Sequence, residues 1–325
     1  MQEMVHSPLS PSSLDVLRFP PEYVVPGVLR GIRPGKRNSL HSPDEEEVAR
    51  WLVSHPDALD QVLGTAPTGD ASAATVAGQS PGEVLERFSR GELVQVRNDL
   101  RDLLSDEPAT RITDTIHFTL QNAGINERSR VLEVGCSLGL HLLHLVPRSP
   151  LLLAGLDSDL LALALGSAAW ARHNIGQPML WTWGDALDLP FRDSVFTHYN
   201  CFVTLSLLPI RRALAEAARV LVPCGRLTIT IEGFGFWLDK WETTTGLGRA
   251  RLARLRELLA FFITGAGAGW QTVPLLRRLS GHTVFSPRAV QGIVAHAGFD
   301  VEKCAVLRQS GGQPRLIALT ATKAA

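Results

Sequence analysis

The sequence has few cysteines and no pairing pattern among them. Four are present, Cys136, Cys201, Cys224 and Cys304, and no two of them form a CxxC pair. A disulfide framework and a zinc site both require closely spaced cysteine or histidine residues. We therefore expect reduced, mostly buried thiols and no metal centre.

The chain also lacks an excess of either charge and any long apolar run. Lys plus Arg and Asp plus Glu number 32 each, so the composition produces no strong field that would favour nucleic acid or an anionic membrane as partner. No apolar run reaches the roughly 20 residues that span a bilayer, and the N-terminus has no basic start followed by an apolar block. We expect a cytoplasmic protein without a transmembrane segment.

Composition divides the 325 residues into three regions. Residues 1–41 are rich in Pro and Ser and predict an extended arm. Residues 42–112 contain two helix starts in which Ser is followed directly by Pro, and they predict a small helical subdomain. Residues 113–325 alternate short apolar strands with helices, which is typical of a parallel sheet with crossover connections.

The end of the chain determines one feature of that sheet. The last two predicted strands are joined by a short turn at Gly311 and Gly312, so they must be antiparallel. We predict a doubly wound α/β fold with a seven-stranded, mostly parallel sheet and one reversed strand, the last, at its end.

The chemistry of this sheet centres on residues 130–157, RVLEVGCSLGLHLLHLVPRSPLLLAGLD, which read as strand, small-residue turn, helix and strand. In a doubly wound sheet the turn after the first strand opens onto the ligand crevice. Asp157 ends the second strand, where it can accept hydrogen bonds from two ribose hydroxyls. Asp185 follows the third strand, within reach of an adenine amino group. The predicted ligand is nucleotide-like.

The turn itself excludes two common nucleotide sites. A dinucleotide fingerprint needs glycines at its first, third and sixth positions, but counting from Gly135 places Ser137 and Leu140 at the last two. A phosphate loop of the form GxxxxGK(S/T) is also absent. The remaining pattern, Glu133, Gly135 and Gly139, argues against a nicotinamide-dependent oxidoreductase and favours a ligand without a pyrophosphate.

These motifs resemble those of the class I S-adenosylmethionine-dependent methyltransferases over about residues 113–325. VLEVGCSLG is similar to the family's first motif, LLLAGLDSD to its acidic second-strand motif, WGDALDLPF to its third, and LAEAARVLVPCGRLTI to the helix and turn before its fifth strand. The resemblance implies a Rossmann-like methyltransferase fold and S-adenosyl-L-methionine as the cofactor. Ser137, Thr197 and Cys224 depart from the family pattern of Gly, Asp and Gly, and Thr197 removes an acidic candidate expected near the methyl donor.

The resemblance also implies which residues bind the cofactor. The glycine turn would pass close to its methionine part, Asp157 would bind the ribose, Asp185 and Ala186 the adenine, and residues 200–202 would line the floor beside the methyl group. The full implied set is Glu133, Gly135, Ser137, Gly139, Asp157, Ser158, Asp185, Ala186, Asn200, Cys201 and Phe202.

A general base is needed only if the acceptor is protonated and weakly acidic. The candidates are His141, which begins the helix after the glycine turn, and His198 and Tyr199 in the fourth strand. Neighbouring residues of a strand point to opposite faces, so at most one of His198 and Tyr199 faces the crevice. A packing role in the core is the alternative for either.

Residues 233–285 interrupt the core after the fifth strand and predict a helical insertion that acts as a substrate lid. Its aromatic residues Phe234, Trp237 and Trp241 could wall an acceptor pocket or simply pack the insertion onto the sheet. An apolar stripe within 252–259 could form a membrane-surface or dimer contact, although packing against the core is the simpler interpretation.

No Asn/Asp-Pro-Pro-aromatic motif follows the fourth strand, and with the balanced charge this argues against a nucleic-acid acceptor. We expect a small-molecule or peptide acceptor in natural product biosynthesis, methylated on O, N or C. The alternative is an adenosylmethionine-binding module without catalysis that serves assembly or regulation.

Overall fold

The computed structural model describes residues 50, 52–54, 97, 98, 100, 101, 103, 104, 114–173, 175–177, 179–243, 252, 255 and 283–325. Its strands are β1 (Arg130–Val134), β2 (Leu152–Asp157), β3 (Met179–Trp183), β4 (Phe196–Phe202), β5 (Leu221–Glu232), β6 (Phe299–Ser310) and β7 (Gln313–Lys323). The α-helices after residue 113 whose bounds the structure describes are α1 (Asp114–Asn122), α2 (Leu140–Leu143), α3 (Leu160–Arg172), α4 (Ile210–Val220), α5 (Phe234–Thr243) and α6 (Pro287–His296).

The strands form one sheet in the order β3-β2-β1-β4-β5-β7-β6. Strand β7 is antiparallel to both of its neighbours, and the other pairs are parallel. The predicted doubly wound sheet with a reversed last strand is therefore confirmed. The reversed strand is not at the edge, however, because the crossover from β5 to β6 leaves an open position between them, and β7 fills it.

Local sequence signals explain where the helices begin and end. Asp159 caps α3 by accepting a hydrogen bond from the Ala162 N–H at 3.2 Å. Ser286 caps α6 in the same way, and Pro287 occupies the first helical position, where its missing N–H costs nothing. Helix α1 is followed by Gly124 at φ 70°, a left-handed conformation that glycine adopts without strain.

The two faces of the sheet differ in character. Leu132 and Val134 point to one face, where they join an apolar core with α4 and α6. Val131 points to the opposite face, which packs against α3 and against residues 52, 53, 100 and 103 of the N-terminal region. Because side chains alternate along a strand, Glu133 shares this second face with Val131.

The two ends of the predicted insertion meet at the end of β5. Gly233 and Phe285 form a bridge, and the Phe285 N–H donates to the Glu232 carbonyl at 2.9 Å. Of the insertion, the structure describes α5, residues 252 and 255 and the last three residues. The predicted arm at 1–41, the stripe at 252–259 except for its two described residues, and nearly all of 42–112 lie outside the described residues. None of the described helices is long and apolar enough to cross a membrane.

Candidate functional site

The glycine turn after β1 packs tightly against its neighbours. Gly135 has φ 76° and Gly139 has φ 75°. A Cβ on Gly135 would lie 2.0 Å from Thr204 Oγ1, and one on Gly139 would lie 2.6 Å from the Trp181 ring. Both positions therefore need glycine for two reasons, the left-handed backbone and the contact with the residue opposite. The turn is fixed against the segment after β4 on one side and against β3 on the other.

Asp157 at the end of β2 stabilises this turn. Its Oδ2 accepts a hydrogen bond from the Ser137 N–H at 2.8 Å, and its Oδ1 accepts one from the Asp159 N–H at 2.9 Å. Burial raises the pKa of Asp157, and these backbone donors oppose that shift. Each carboxylate oxygen keeps a second lone pair, so the group can accept further hydrogen bonds from a ligand.

Ser137 has φ 49°, so the residue that replaces the family's glycine adopts the left-handed conformation that glycine favours. The Asp157 carboxylate binds the Ser137 N–H and so contributes to holding this strained backbone. Cys224, the other Gly replacement, is likewise left-handed at φ 58°.

Glu133 and Asn200 form a buried polar pair on adjacent strands. They are in register between β1 and β4, and both are 0% exposed. Glu133 Oε1 lies 3.2 Å from His141 Nδ1. Among the described residues, Glu133 Oε2 and both amide atoms of Asn200 have no hydrogen-bond partner. Burial raises the pKa of Glu133, and the contact with His141 opposes that rise.

Near the start of the loop from β3 to β4, Asp185 is exposed and Ala186 is buried. Asp185 Oδ1 accepts a hydrogen bond from the Leu187 N–H at 2.8 Å. Arg219 on α4 fixes the rest of this loop by donating to the carbonyls of Leu189 and Phe191 at 2.9 and 2.6 Å. The part of the loop that follows Asp185 is thus held by a residue of α4.

Arg219 is itself held by two carboxylates. It makes a bidentate pair with Glu216 at 2.7 and 2.8 Å and contacts Asp193 at 2.9 Å. The pair with Arg219 and the Leu189 N–H lower the pKa of Glu216 against the effect of burial. Planar two-point pairing of this kind fixes geometry better than a single ionic contact.

The two candidate bases in β4 lie on opposite faces, as the alternation requires. Tyr199 is 0% exposed in the apolar core with α4. His198 is 7% exposed, and its Nε2 lies 3.0 Å from the Ala123 carbonyl while its Nδ1 lies 2.9 Å from Thr197 Oγ1. Both ring nitrogens of His198 therefore make contacts within the fold.

Thr197 does not lie near the crevice. It is the second residue of β4 and contacts the backbone of Arg130 at the start of β1, at 2.8 Å from the Arg130 N–H. The carboxyl end of β4 is five residues away, roughly 16 Å in an extended strand. Thr197 therefore lies away from the carboxyl ends of the strands, where the cofactor is expected.

The other residues predicted to line the floor beside the methyl group, Cys201 and Phe202, lie on opposite faces of the sheet. Cys201 is fully buried in the apolar core, and burial raises the pKa of its thiol. Phe202 points the other way, and the His141 ring packs edge-on against it at 4.8 Å between centroids. Ser158 is exposed beside the end of β2.

The aromatic residues of α5 form one stack. Phe234 and Trp237 lie 5.4 Å apart and Trp237 and Trp241 lie 5.3 Å apart, all with nearly parallel rings. On the same helix, Asp239 contacts Ser310 and Arg315 of the β6–β7 hairpin. The stack is therefore carried on a helix anchored to the end of the sheet.

The sequence did not predict a role at this site for three residues: Thr204, Arg219 and Thr228. Thr204 fills the space in front of Gly135, and Thr228 continues the register of Glu133 and Asn200 into β5. These contacts join residues from distant parts of the chain. No local sequence pattern predicts these contacts, except that LAEAARV places Glu216 and Arg219 one helical turn apart.

Comparison with known proteins agrees with this architecture. Residues 131–225 match the family model of a methyltransferase domain. An uncharacterised protein of Haemophilus influenzae is 31% identical over 113 residues, which are 34% of this chain and 45% of that protein. The match thus spans less than half the length of this curated relative.

Two solved structures are similar to this chain. A chain from a complex that contains the Haloferax volcanii Trm112 methyltransferase activator is 14% identical, with 71% of this chain and 95% of that chain covered and a TM-score of 0.50. An S-adenosylmethionine-dependent methyltransferase of Methanosarcina mazei is 21% identical, with 63% and 96% covered and a TM-score of 0.45. Residues 131–225 are thus similar to a methyltransferase domain, and the strand order is that of a Rossmann-like methyltransferase fold.

Proposed function

We propose that this protein binds S-adenosyl-L-methionine at the carboxyl ends of β1, β2 and β3 and transfers its methyl group to a small-molecule or peptide acceptor. The observation that carries the proposal is the buried polar pair of Glu133 and Asn200 next to the glycine turn. Three of their side-chain atoms have no hydrogen-bond partner among the described residues.

The unpartnered atoms match the methionine end of the cofactor. That end carries an ammonium group and a carboxylate. Glu133 Oε2 can accept a hydrogen bond from the ammonium, and the Asn200 amide offers both a donor and an acceptor. A buried polar atom without a partner costs about 1–3 kcal/mol. A ligand that forms hydrogen bonds with these atoms removes that cost, which favours its binding.

The nucleoside end fits the neighbouring strands. Asp157 has lone pairs left for two ribose hydroxyls after binding the Ser137 and Asp159 N–H groups. Asp185 is exposed at the start of the next loop, where it can accept from an adenine amino group, with the Ala186 N–H beside it as a donor to the ring.

The bound cofactor supplies an electrophilic methyl group on a sulfonium. What the protein contributes is alignment of the acceptor in line with that group and exclusion of water. The rigid glycine turn, fixed by Thr204 and Asp157, suits the first task. The aromatic stack of Phe234, Trp237 and Trp241 suits the second, as one wall of an acceptor pocket.

The acceptor class rests on composition and on this stack. Equal numbers of acidic and basic residues and an aromatic wall favour a small molecule or a short peptide over a nucleic acid. We place the reaction in the cytoplasm and in natural product biosynthesis. The helical subdomain at 42–112 and the insertion at 233–285 would act together as the covers that select the acceptor.

Calorimetric titration with S-adenosylmethionine tests the cofactor site. The variant Asn200→Val removes the unpartnered amide, so it should bind the donor at least tenfold more weakly while its melting temperature stays unchanged or rises. Thr182→Val is the matched control, because Thr182 is also buried with an unpartnered hydroxyl but lies on the other face of the sheet, beside Leu156. Equal donor affinity in wild type and Asn200→Val would contradict the proposal.

Turnover is tested separately with pools of candidate acceptors and detection of adenosylhomocysteine. Product formed in any pool supports an enzyme. Tight donor binding by the wild type with no adenosylhomocysteine in any pool would instead indicate a binding module.

A further inference from the structure

The His141 ring contacts a buried carboxylate on one side and is partly exposed on the other. Its Nδ1 is 3.2 Å from Glu133 Oε1, and the side chain of His141 is 30% exposed whereas that of Glu133 is 1% exposed. Phe202, the last residue of β4, supports the ring edge-on. A buried group thus orients a ring that solvent and ligands can still reach.

This contact fixes which ring nitrogen carries the proton. A carboxylate can only accept, so in the neutral ring Nδ1 carries the hydrogen and donates it to Glu133. The lone pair is then on Nε2, and within the described part of the chain no hydrogen bond engages that atom. His141 is therefore arranged as a base with its free lone pair away from the carboxylate.

Groups from three neighbouring segments surround the ring. Glu133 contacts it from β1, and Asp157 at the end of β2 acts on Glu133 through its charge. From β4 it meets only the uncharged Phe202 ring. The nearby thiols of Cys136 and Cys201 stay neutral, because burial raises the pKa of each. A carboxylate behind an imidazole stabilises the imidazolium that forms when the ring takes a proton.

We propose that His141 is the general base of methyl transfer, that Glu133 is its positioning residue, and that the acceptor nucleophile is a group that must lose a proton when it is methylated, as a hydroxyl group does. The inference rests on the proposed function and deepens it, because a base in this position serves only an acceptor that must lose a proton. The acceptor oxygen forms the new bond to the methyl carbon while the carbon–sulfur bond breaks and leaves its electron pair on sulfur. The hydroxyl proton passes to His141 Nε2 and then to solvent through the exposed side of the ring.

The structure gives this role to His141 and not to the other two candidates. His198 uses both ring nitrogens within the fold. Tyr199 lies fully buried on the opposite face, and burial raises its pKa well above the ordinary value, so its hydroxyl keeps its proton and cannot accept another.

The first test needs no acceptor. Nitrogen-15 NMR of histidine-labelled protein should show His141 as the Nδ1–H tautomer, with a downfield Nδ1 proton that disappears in Glu133→Gln. S-adenosylmethionine should slow modification of His141 by diethyl pyrocarbonate at least tenfold. His117, an exposed histidine on α1, is the internal control and should react at the same rate with and without the donor. An Nε2–H tautomer, or no protection by the donor, would overturn the proposal.

The second test separates a base from a donor ligand. His141→Gln should keep its affinity for S-adenosylmethionine within threefold of wild type, while transfer to hydroxyl acceptors of the turnover pools falls about 10²- to 10⁴-fold. His117→Gln should change neither. If donor affinity falls as far as turnover, His141 binds the donor and is not the base. Failure of the wild type to bind donor would count against the proposed function itself, whatever the tautomer of His141.

Discussion

Lowering the pH from 7 to 5 should destabilise this protein through one buried histidine, His198. Its Nε2 lies 3.0 Å from the Ala123 carbonyl, which can only accept, so Nε2 carries the proton and Nδ1 accepts from the Thr197 hydroxyl at 2.9 Å. The neutral ring satisfies both contacts. Burial lowers the pKa of His198 from 6.5 to about 4, and the nearby Arg226 charge adds to that effect.

The magnitude follows from the difference between the folded and unfolded states. Below pH 6.5 the unfolded chain binds a proton at His198, whereas the folded protein does not bind one until the pH approaches 4. The stability from the neutral ring is therefore complete above pH 6.5 and is lost as the pH falls towards 4. The whole difference corresponds to about 3 kcal/mol, of which about 2 kcal/mol is lost between pH 7 and pH 5.

Urea unfolding followed by tryptophan fluorescence at pH 7 and pH 5 measures this loss. The matched variant is His198→Gln, whose amide can still donate to the Ala123 carbonyl but cannot titrate. Other groups contribute equally to both proteins, so the wild type should lose about 2 kcal/mol more than the variant. The same loss in both proteins would refute the reasoning. Retained methyl transfer by His198→Gln would agree with its structural role.

Further substitutions probe the walls of the site. Gly135→Ala should lower the free energy of unfolding by more than about 3 kcal/mol, because the alanine is left-handed and its Cβ would lie 2.0 Å from Thr204 Oγ1. A second substitution, Thr204→Ala, should restore only the share of the loss that is due to this steric contact. Urea unfolding measures both. Ser137→Gly should leave stability within about 1 kcal/mol and donor affinity unchanged, because relief of its φ of 49° offsets the entropy of the unfolded chain. Arg219→Leu should cost about 2–4 kcal/mol through lost charged hydrogen bonds and weaken donor binding, measured by unfolding and calorimetry, because the loop that contains Asp185 loses its anchor.

The fold could be predicted where the signals are local. Helix α6 runs from Pro287 to His296, and the signals that bound it, a capping serine, a first-turn proline and a following glycine, are all adjacent in the sequence. The place of β7 could not be predicted, since it depends on which sheet edge remains open after the crossover to β6. That is a property of the whole sheet.

The candidate site likewise has features that local sequence predicts and features that depend on the whole fold. The strand ends that carry Glu133 and Asp157 could be located, because the carboxyl end of a strand is visible as the end of an apolar run. The contacts of Thr204 with the turn and of Glu133 with His141 could not be anticipated. These contacts depend on the distances of β4 and α2 from β1, which no sequence pattern predicts.

The polarity of one sheet face is the strongest reason to look for a ligand there. Glu133, Asn200 and Thr228 are in register across β1, β4 and β5, with Thr230 two residues further along. Each has a buried polar atom without a partner among the described residues, at a cost of about 1–3 kcal/mol apiece. Together they approach the total stability of an ordinary domain, about 5–15 kcal/mol. Apolar residues would fill the same strands at no such cost, as Leu132, Leu227 and Ile229 do on the opposite face. Polar groups at these positions are explained if a bound ligand forms hydrogen bonds with them. The increase in the free energy of unfolding on adding the donor then measures how strongly the ligand binds the folded protein.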